Sequence, residues 1–315
     1  MTLDAPTHYA DRLCSVIRAK KTPLIVGLDP RCEQLPPAML AGHGSLVPLA
    51  IQAQLYQQFC CEIIDAVHHL IPAVKPQAAF FEQLGPAGMM ALANVIDHAK
   101  SVGLMVILDA KRGDIGSTAV AYAAAYLGAR PLSPWGCDAL TVNPYLGEDS
   151  LEPFVTAAKK NNAGIYVLAK TSNPGSRTLQ ERIVDGQPVY SHVADLLQSL
   201  ARSTIGDSGY GIVGAVVGAT YPEQLWALRQ QMPHTLLLIP GYGAQGGTAA
   251  DVAGGFDEQG QGAVINSSRG IIFAYERREY RAIKDWQVAV AQATQDSIAE
   301  IASETRAGRI SGAMI

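Results

Sequence analysis

Eight short apolar runs punctuate the chain, at 24–29, 71–76, 104–109, 139–143, 164–170, 212–218, 235–240 and 262–266. None alternates apolar with polar, so each reads as a strand buried on both faces rather than one face wet. Between them lie helical patterns at 49–70, 87–101, 117–127, 151–160 and 190–203, and one opened by Pro222-Glu223. An amphipathic helix around Tyr9–Leu13 leads in, a helical region over 271–304 follows the last run, and a Gly/Ala/Ser tail ends the chain. Buried strands alternating with helices require a parallel sheet, because each parallel crossover needs a long connection. Eight units over about 250 residues is the count of a (β/α)8 TIM barrel. The expected fold is therefore α/β: one barrel domain over 1–315, with an N-terminal helix and extra C-terminal helices. A doubly wound open sheet is the second reading, since it shares the alternation.

Composition narrows the class. Of 315 residues 48 % are hydrophobic and 17 % charged, which suits a large core. A net charge of -4 without a Lys/Arg block argues against nucleic acid as partner. The five cysteines, Cys14, Cys32, Cys60, Cys61 and Cys137, have no C-x-x-C spacing, which points to reduced thiols and the cytoplasm. Neither H-x-x-x-H nor H-E-x-x-H occurs, so no metal site is expected. No apolar run reaches the roughly 18 residues of a membrane span, and the N-terminus lacks a signal-peptide core.

In a barrel the active site lies at the C-terminal strand ends, so those ends carry the functional reading. They supply Asp29, Lys75, Asp109 with Lys111, Asn143, Lys170 with Thr171 and Ser172, 218–220, Pro240-Gly241, and Asn266 through Arg269. The third run is the most informative: Leu104-Met105-Val106-Ile107-Leu108 leads into Asp109, Lys111, Arg112 and Asp114. On an extended chain Asp109 and Lys111 share a face, and Arg112 points the other way. Lys111 is the candidate catalytic residue, as a Schiff-base amine or as a proton donor. Its aspartate neighbours favour the charged form and hence the donor.

Gly241-Tyr242-Gly243-Ala244-Gln245-Gly246 matches G-x-G-x-x-G, but it follows the seventh run and no acid ends the next one, which argues against a dinucleotide site. Loops after strands seven and eight of a barrel commonly bind phosphate, and Arg269 adds a bidentate donor. Tight turns that need glycine would explain the same residues. A phosphorylated small molecule spanning the mouth fits both ends of the barrel.

Asp109-Ala110-Lys111-Arg112-Gly113-Asp114-Ile115 resembles the D-x-K-x-x-D signature of the orotidine 5′-phosphate decarboxylase superfamily. DAKRGDIGST is closer to the decarboxylase branch than to its relatives. GLDP at 27–30, VKPQ at 74–77, SNPG at 172–175, VVGAT at 216–220, PGYGAQGG at 240–247 and SSRG at 267–270 extend the match along the chain. The loop after the first run and the 171–188 insertion resemble the longer bacterial (type 2) form.

That resemblance implies cofactor-free, metal-free decarboxylation of orotidine 5′-monophosphate to UMP in pyrimidine synthesis. It implies that Lys111 protonates C6, that Asp109 lies beside the substrate carboxylate, and that Lys75 and Asp114 complete the charged array. Asp29 would contact the ribose and Ser172 the pyrimidine amide edge. Gln245, Arg269 and the backbone around Pro240, Gly243 and Gly270 would hold the phosphate. Asp114, Ile115 and Thr118 would reach a neighbouring subunit's site, making a homodimer with shared sites, and 171–188 would be an active-site loop. A Mg-dependent sugar-phosphate decarboxylase or aldolase of the same superfamily is the nearest alternative. A non-catalytic phosphoribosyl-ligand sensor is the alternative from another class.

Overall fold

The eight apolar runs become eight parallel strands that hydrogen-bond edge to edge until the last meets the first. They are β1 (Leu24–Leu28), β2 (Ala73–Pro76), β3 (Met105–Arg112), β4 (Ala139–Val142), β5 (Gly164–Lys170), β6 (Val213–Val217), β7 (Leu237–Pro240) and β8 (Ala263–Ser267). The computed structural model describes residues 8–43, 47–128, 133–243 and 246–312. Leu24 pairs with Ile265 across the seam that closes the barrel, which rules out the open sheet. Strands β1, β4, β6 and β8 are buried along their whole length, as continuous apolar runs covered by helices must be.

The N-terminal helix, Tyr9–Lys20, bears on the end of the barrel where the strands begin. Tyr9 donates its hydroxyl to that of buried Tyr166 at 3.1 Å, and Arg12 pairs at 3.0 Å with Asp138, just before β4. Asp11 accepts from the Asp207 and Ser208 backbone ahead of β6. That end is plugged by packing, which leaves the opposite end for chemistry.

Three expected boundaries move. The run expected to end at Asp109 continues as strand through Arg112. The region 271–304 is not one helix: Arg269–Ile272 is followed by a 3-10 turn, and the long helix begins only at Trp286, where Asp285 caps it by accepting from the Gln287 and Val288 backbone. The Gly/Ala/Ser tail carries a short helix, Gly308–Ser311. The long C-terminal helix packs on Leu49–Val67, with Trp286 stacked 5.3 Å from Phe59 and Gln287 donating to Glu62. Farther along, Glu300 accepts from the hydroxyl of Tyr242, in the loop after β7, at 2.7 Å.

Candidate active site

A cavity of about 500 Å³ opens at the C-terminal ends of the strands, lined from β1 through β8. Asp109 is its electrostatic centre and accepts four hydrogen bonds. Its Oδ2 receives the Lys75 ammonium at 2.6 Å and the Gln77 amide at 3.1 Å; its Oδ1 receives the Lys111 ammonium at 2.5 Å and the Thr141 hydroxyl at 3.0 Å. Burial alone would raise its pKa, but the Lys75 and Lys111 charges outweigh that and hold the carboxyl well below the usual carboxylate range. Lys75 is 4 % exposed. Burial disfavours its charge, yet Asp109 and then Asp29 reverse the balance and raise its pKa. The side chain of Lys111 is 45 % exposed, so one ammonium is enclosed while the other faces the open cavity.

Asp109 and Lys111 do meet, but not through strand parity. Leu108 pairs with Leu140 and Arg112 with Val142, so one residue of β4, Thr141, stands opposite three of β3. Lys111 lies inside this bulge with φ of +48°, a left-handed conformation that costs a non-glycine residue about 1–2 kcal/mol. Arg112, which the sequence leaves without a role, turns away from the cavity. It pairs with Glu82, lies 5.5 Å over the Tyr126 ring, and donates to the Ala110 carbonyl, bracing the bulge from behind.

Asp29, Ser172, Pro240 and Arg269 all line the cavity as expected, and Asn266 and Ser268 join them. Oδ1 of Asp29 and Oδ1 of Asn266 are both buried with no hydrogen-bond donor on them. Gly243 and Gly270 lie outside the lining: a Cβ on either would sit 3.7 Å from the Ser267 hydroxyl, behind the wall. Gln245 falls outside the described residues. The glycines of the G-x-G-x-x-G stretch have a conformational reason, since Gly241, Gly243 and Gly246 all take positive φ in a loop tied by Gly243 N to Gly247 O. Asp114, Ile115 and Thr118 stand outside this chain's cavity; Asp114 accepts from the Ile115 backbone, and the Ile115 side chain is exposed.

The 171–188 segment contains a 3-10 turn, Pro174–Thr178, and a two-stranded ribbon of Ile183–Val184 with Gln187–Pro188. Thr171, Ser172, Asn173 and Gln180 carry it over the cavity. Lys170, grouped above with the mouth residues, does not line the cavity. It is 1 % exposed and turns into the segment, donating to Ser176 at 2.7 Å, pairing with Glu181 at 3.2 Å and lying 4.2 Å over the Tyr221 ring. Gln180 clips the segment a second time, accepting from Thr171 N and donating to Thr171 Oγ1. Ser172 itself packs so closely on the end of β6 that a Cβ on Gly218 would come within 2.7 Å of it.

Gln77, Thr141, Tyr242 and Asn266 also line the cavity, though the sequence alone assigns them no substrate or catalytic role. Gln77 lies in the VKPQ match and Asn266 at a strand end, so both had a signal; Thr141 sits inside a strand among apolar neighbours and had none. Among the described residues no cluster of three or more His, Cys, Asp or Glu side chains could hold a metal ion, and no helix is long and apolar enough to cross a membrane.

Comparison with known proteins agrees with this geometry. The family model described as orotidine 5′-phosphate decarboxylase / HUMPS family matches residues 22–283. Orotidine 5′-phosphate decarboxylase of Rhodopirellula baltica is 57 % identical over 291 residues, covering 91 % of this chain and 96 % of its own. That of Deinococcus radiodurans is 44 % identical over 267 residues, covering 84 % and 89 %. The structure of Leishmania donovani OMP decarboxylase superposes with a TM-score of 0.70 at 33 % identity, covering 93 % of this chain and 98 % of that one.

Proposed function

The chain belongs to the orotidine 5′-phosphate decarboxylase / HUMPS family and decarboxylates orotidine 5′-monophosphate to UMP and carbon dioxide in pyrimidine biosynthesis; on that premise we propose that Lys111 is the proton donor to C6. The observation that carries the proposal is the Lys75–Asp109–Lys111 array at the cavity wall, in which one carboxylate holds two ammonium groups and only the Lys111 side chain is substantially exposed. As the C6–carboxylate bond breaks, its electron pair stays on C6 with little delocalisation. A fixed ammonium there stabilises the developing charge and then transfers its proton to the same carbon. Asp109, itself held by buried Lys75, keeps that ammonium aimed, so little reorganisation is needed when charge develops.

Substrate binding follows the two ends of the cavity. Arg269, with the backbone around Pro240 and Gly241, takes the phosphate; the Asp29 carboxylate takes a ribose hydroxyl; Ser172 takes the pyrimidine amide edge. The 171–188 segment, pinned by Lys170, covers the ligand and commits phosphate binding energy to the reacting end. Arg269→Ala is expected to weaken UMP roughly 10–100-fold by calorimetry while leaving uridine unchanged, the range for a hydrogen bond to a charged group. Equal affinity of the variant and wild type for UMP would remove the phosphate from this wall.

Half-buried Asp114 and exposed Ile115 and Thr118, all outside this chain's cavity, support a homodimer in which they serve the partner's cavity, and exposed Val120, Tyr145 and Leu146 supply apolar surface for it. Five free cysteines support a cytoplasmic setting. Neither nucleic acid nor a membrane has a part in this reading, and neither does a cofactor. Purified protein held in excess EDTA should therefore still bleach the ultraviolet signal of orotidine 5′-monophosphate; loss of turnover in EDTA would favour the Mg-dependent relatives instead.

A further inference from the structure

We infer that Thr141 is the positioning residue that sets the proton donor, through one hydroxyl that holds the β3 bulge open and orients Asp109. Thr141 is 1 % exposed and is the single β4 residue opposite Asp109, Ala110 and Lys111. Its Oγ1 accepts from the Ala110 backbone N–H at 3.0 Å and from the Lys111 N–H at 2.9 Å, and donates to Asp109 Oδ1 at 3.0 Å. The hydroxyl's one donor and two acceptor sites are thus all used. Successive N–H groups of a regular strand point to opposite neighbours, so β4 would have received only one of these two; the bulge turns both toward Thr141, whose oxygen satisfies them.

The consequence reaches the chemistry through geometry. Lys111 holds positive φ only while the surrounding structure enforces it. The Thr141 oxygen fixes the amides on both sides of Ala110, the second of which is the peptide unit that enters Lys111, while Asn143 N–H holds the Arg112 carbonyl beyond it. The same oxygen fixes the rotamer of Asp109, whose Oδ1 is shared between Thr141 and the Lys111 ammonium. One atom therefore fixes both the peptide unit that leads into Lys111 and the carboxylate that holds its charged end. Valine has the same shape without the hydroxyl, and it would leave two partly buried N–H groups and one carboxylate oxygen each short of a partner.

The inference rests on the proton-donor reading of Lys111, and its test separates the two. Thr141→Val, Thr141→Ser and Lys111→Ala are assayed for kcat, and their affinity for UMP is measured by calorimetry. Thr141→Val should lower kcat roughly 10–100-fold, the scale expected for a misplaced reacting group, while UMP binds within about twofold of wild type. Thr141→Ser should restore kcat to within about threefold, because it returns the oxygen without the methyl group. A Thr141→Val enzyme with wild-type kcat would overturn the inference. So would equal losses in the Val and Ser variants, or a fall in UMP affinity matching the fall in kcat, since each would mark a packing role. If the Val variant does not fold, Thr141→Ala replaces it under the same criteria. Lys111→Ala with full turnover would instead overturn the proton-donor reading; Lys111→Ala without turnover beside an unaffected Thr141→Val would overturn only the positioning role.

Discussion

Lys111→Ala should abolish all but a trace of turnover, lowering kcat by roughly 10⁴-fold or more, with UMP bound nearly as well as by wild type. The magnitude combines the roughly 10²–10⁴-fold worth of a positioned general acid with the further gain from an ammonium fixed where charge develops. Binding survives because the phosphate wall at Arg269 and the ribose acceptor at Asp29 belong to other strand ends. The side chain is partly exposed and its removal opens no core cavity, so the melting temperature should hold. Steady-state kinetics beside UMP calorimetry give the two readings, and a parallel loss of both would mean that Lys111 binds rather than reacts. The same variant tests the shared site. Mixed and reassorted with inactive Asp114→Ala, it should recover about a quarter of wild-type activity, because half of random dimers pair one intact Lys111 with one intact Asp114. No recovery in demonstrated heterodimers would confine each site to one chain.

Asp109→Asn should damage both activity and the fold. Asparagine keeps the shape but removes the charge that two ammonium groups share, so Lys75 is left buried without a counter-ion. Removing one partner of a buried pair costs about 3–5 kcal/mol, readable by urea unfolding at pH 7. Turnover should fall roughly 10³-fold as Lys111 loses its aim. The effect has a pH signature. The folded pKa of Asp109 lies below its unfolded value of about 3.9, so its stabilisation is full above about pH 5 and is lost as pH falls toward the depressed value. The folded pKa of Lys75 lies above its unfolded value of about 10.4, so its share is full below that pH and is lost as pH rises through the raised value. The stability gap between wild type and Asp109→Asn should therefore be full near neutral pH and shrink on the acid side as Asp109 takes up its proton. A gap unchanged down to pH 3.5 would mean that Asp109 does not carry the charge assigned to it.

The barrel was legible because each of its strands announces itself locally. A strand covered on both faces must be apolar throughout, and a charge directly after it must lie at a barrel end. Asp29, Lys75, Asp109 and Lys111 could therefore be placed from the chain alone, and all four line one cavity. Lys170 shows where that rule fails. It too ends a strand, but its direction depends on the segment after it, where Ser176, Glu181 and Tyr221 give its charge a buried partner set facing away from the cavity. The C-terminal region is helical as its spacing predicts, but that spacing does not register the turn that carries Tyr275 back against Trp286.

The sequence by itself determined the architecture, the end of the barrel that reacts, and the identity of the charged residues there, because hydrophobic burial and strand ends are properties of contiguous residues. Only the tertiary structure decided how those charges are held. Asp109 and Thr141 lie 32 positions apart, and their contact exists because β3 carries two more residues than β4 between the same pair of rungs. Register between separate strands leaves no mark on either strand's own pattern, so the bulge that turns Lys111 toward Asp109 becomes visible only when the two strands lie side by side.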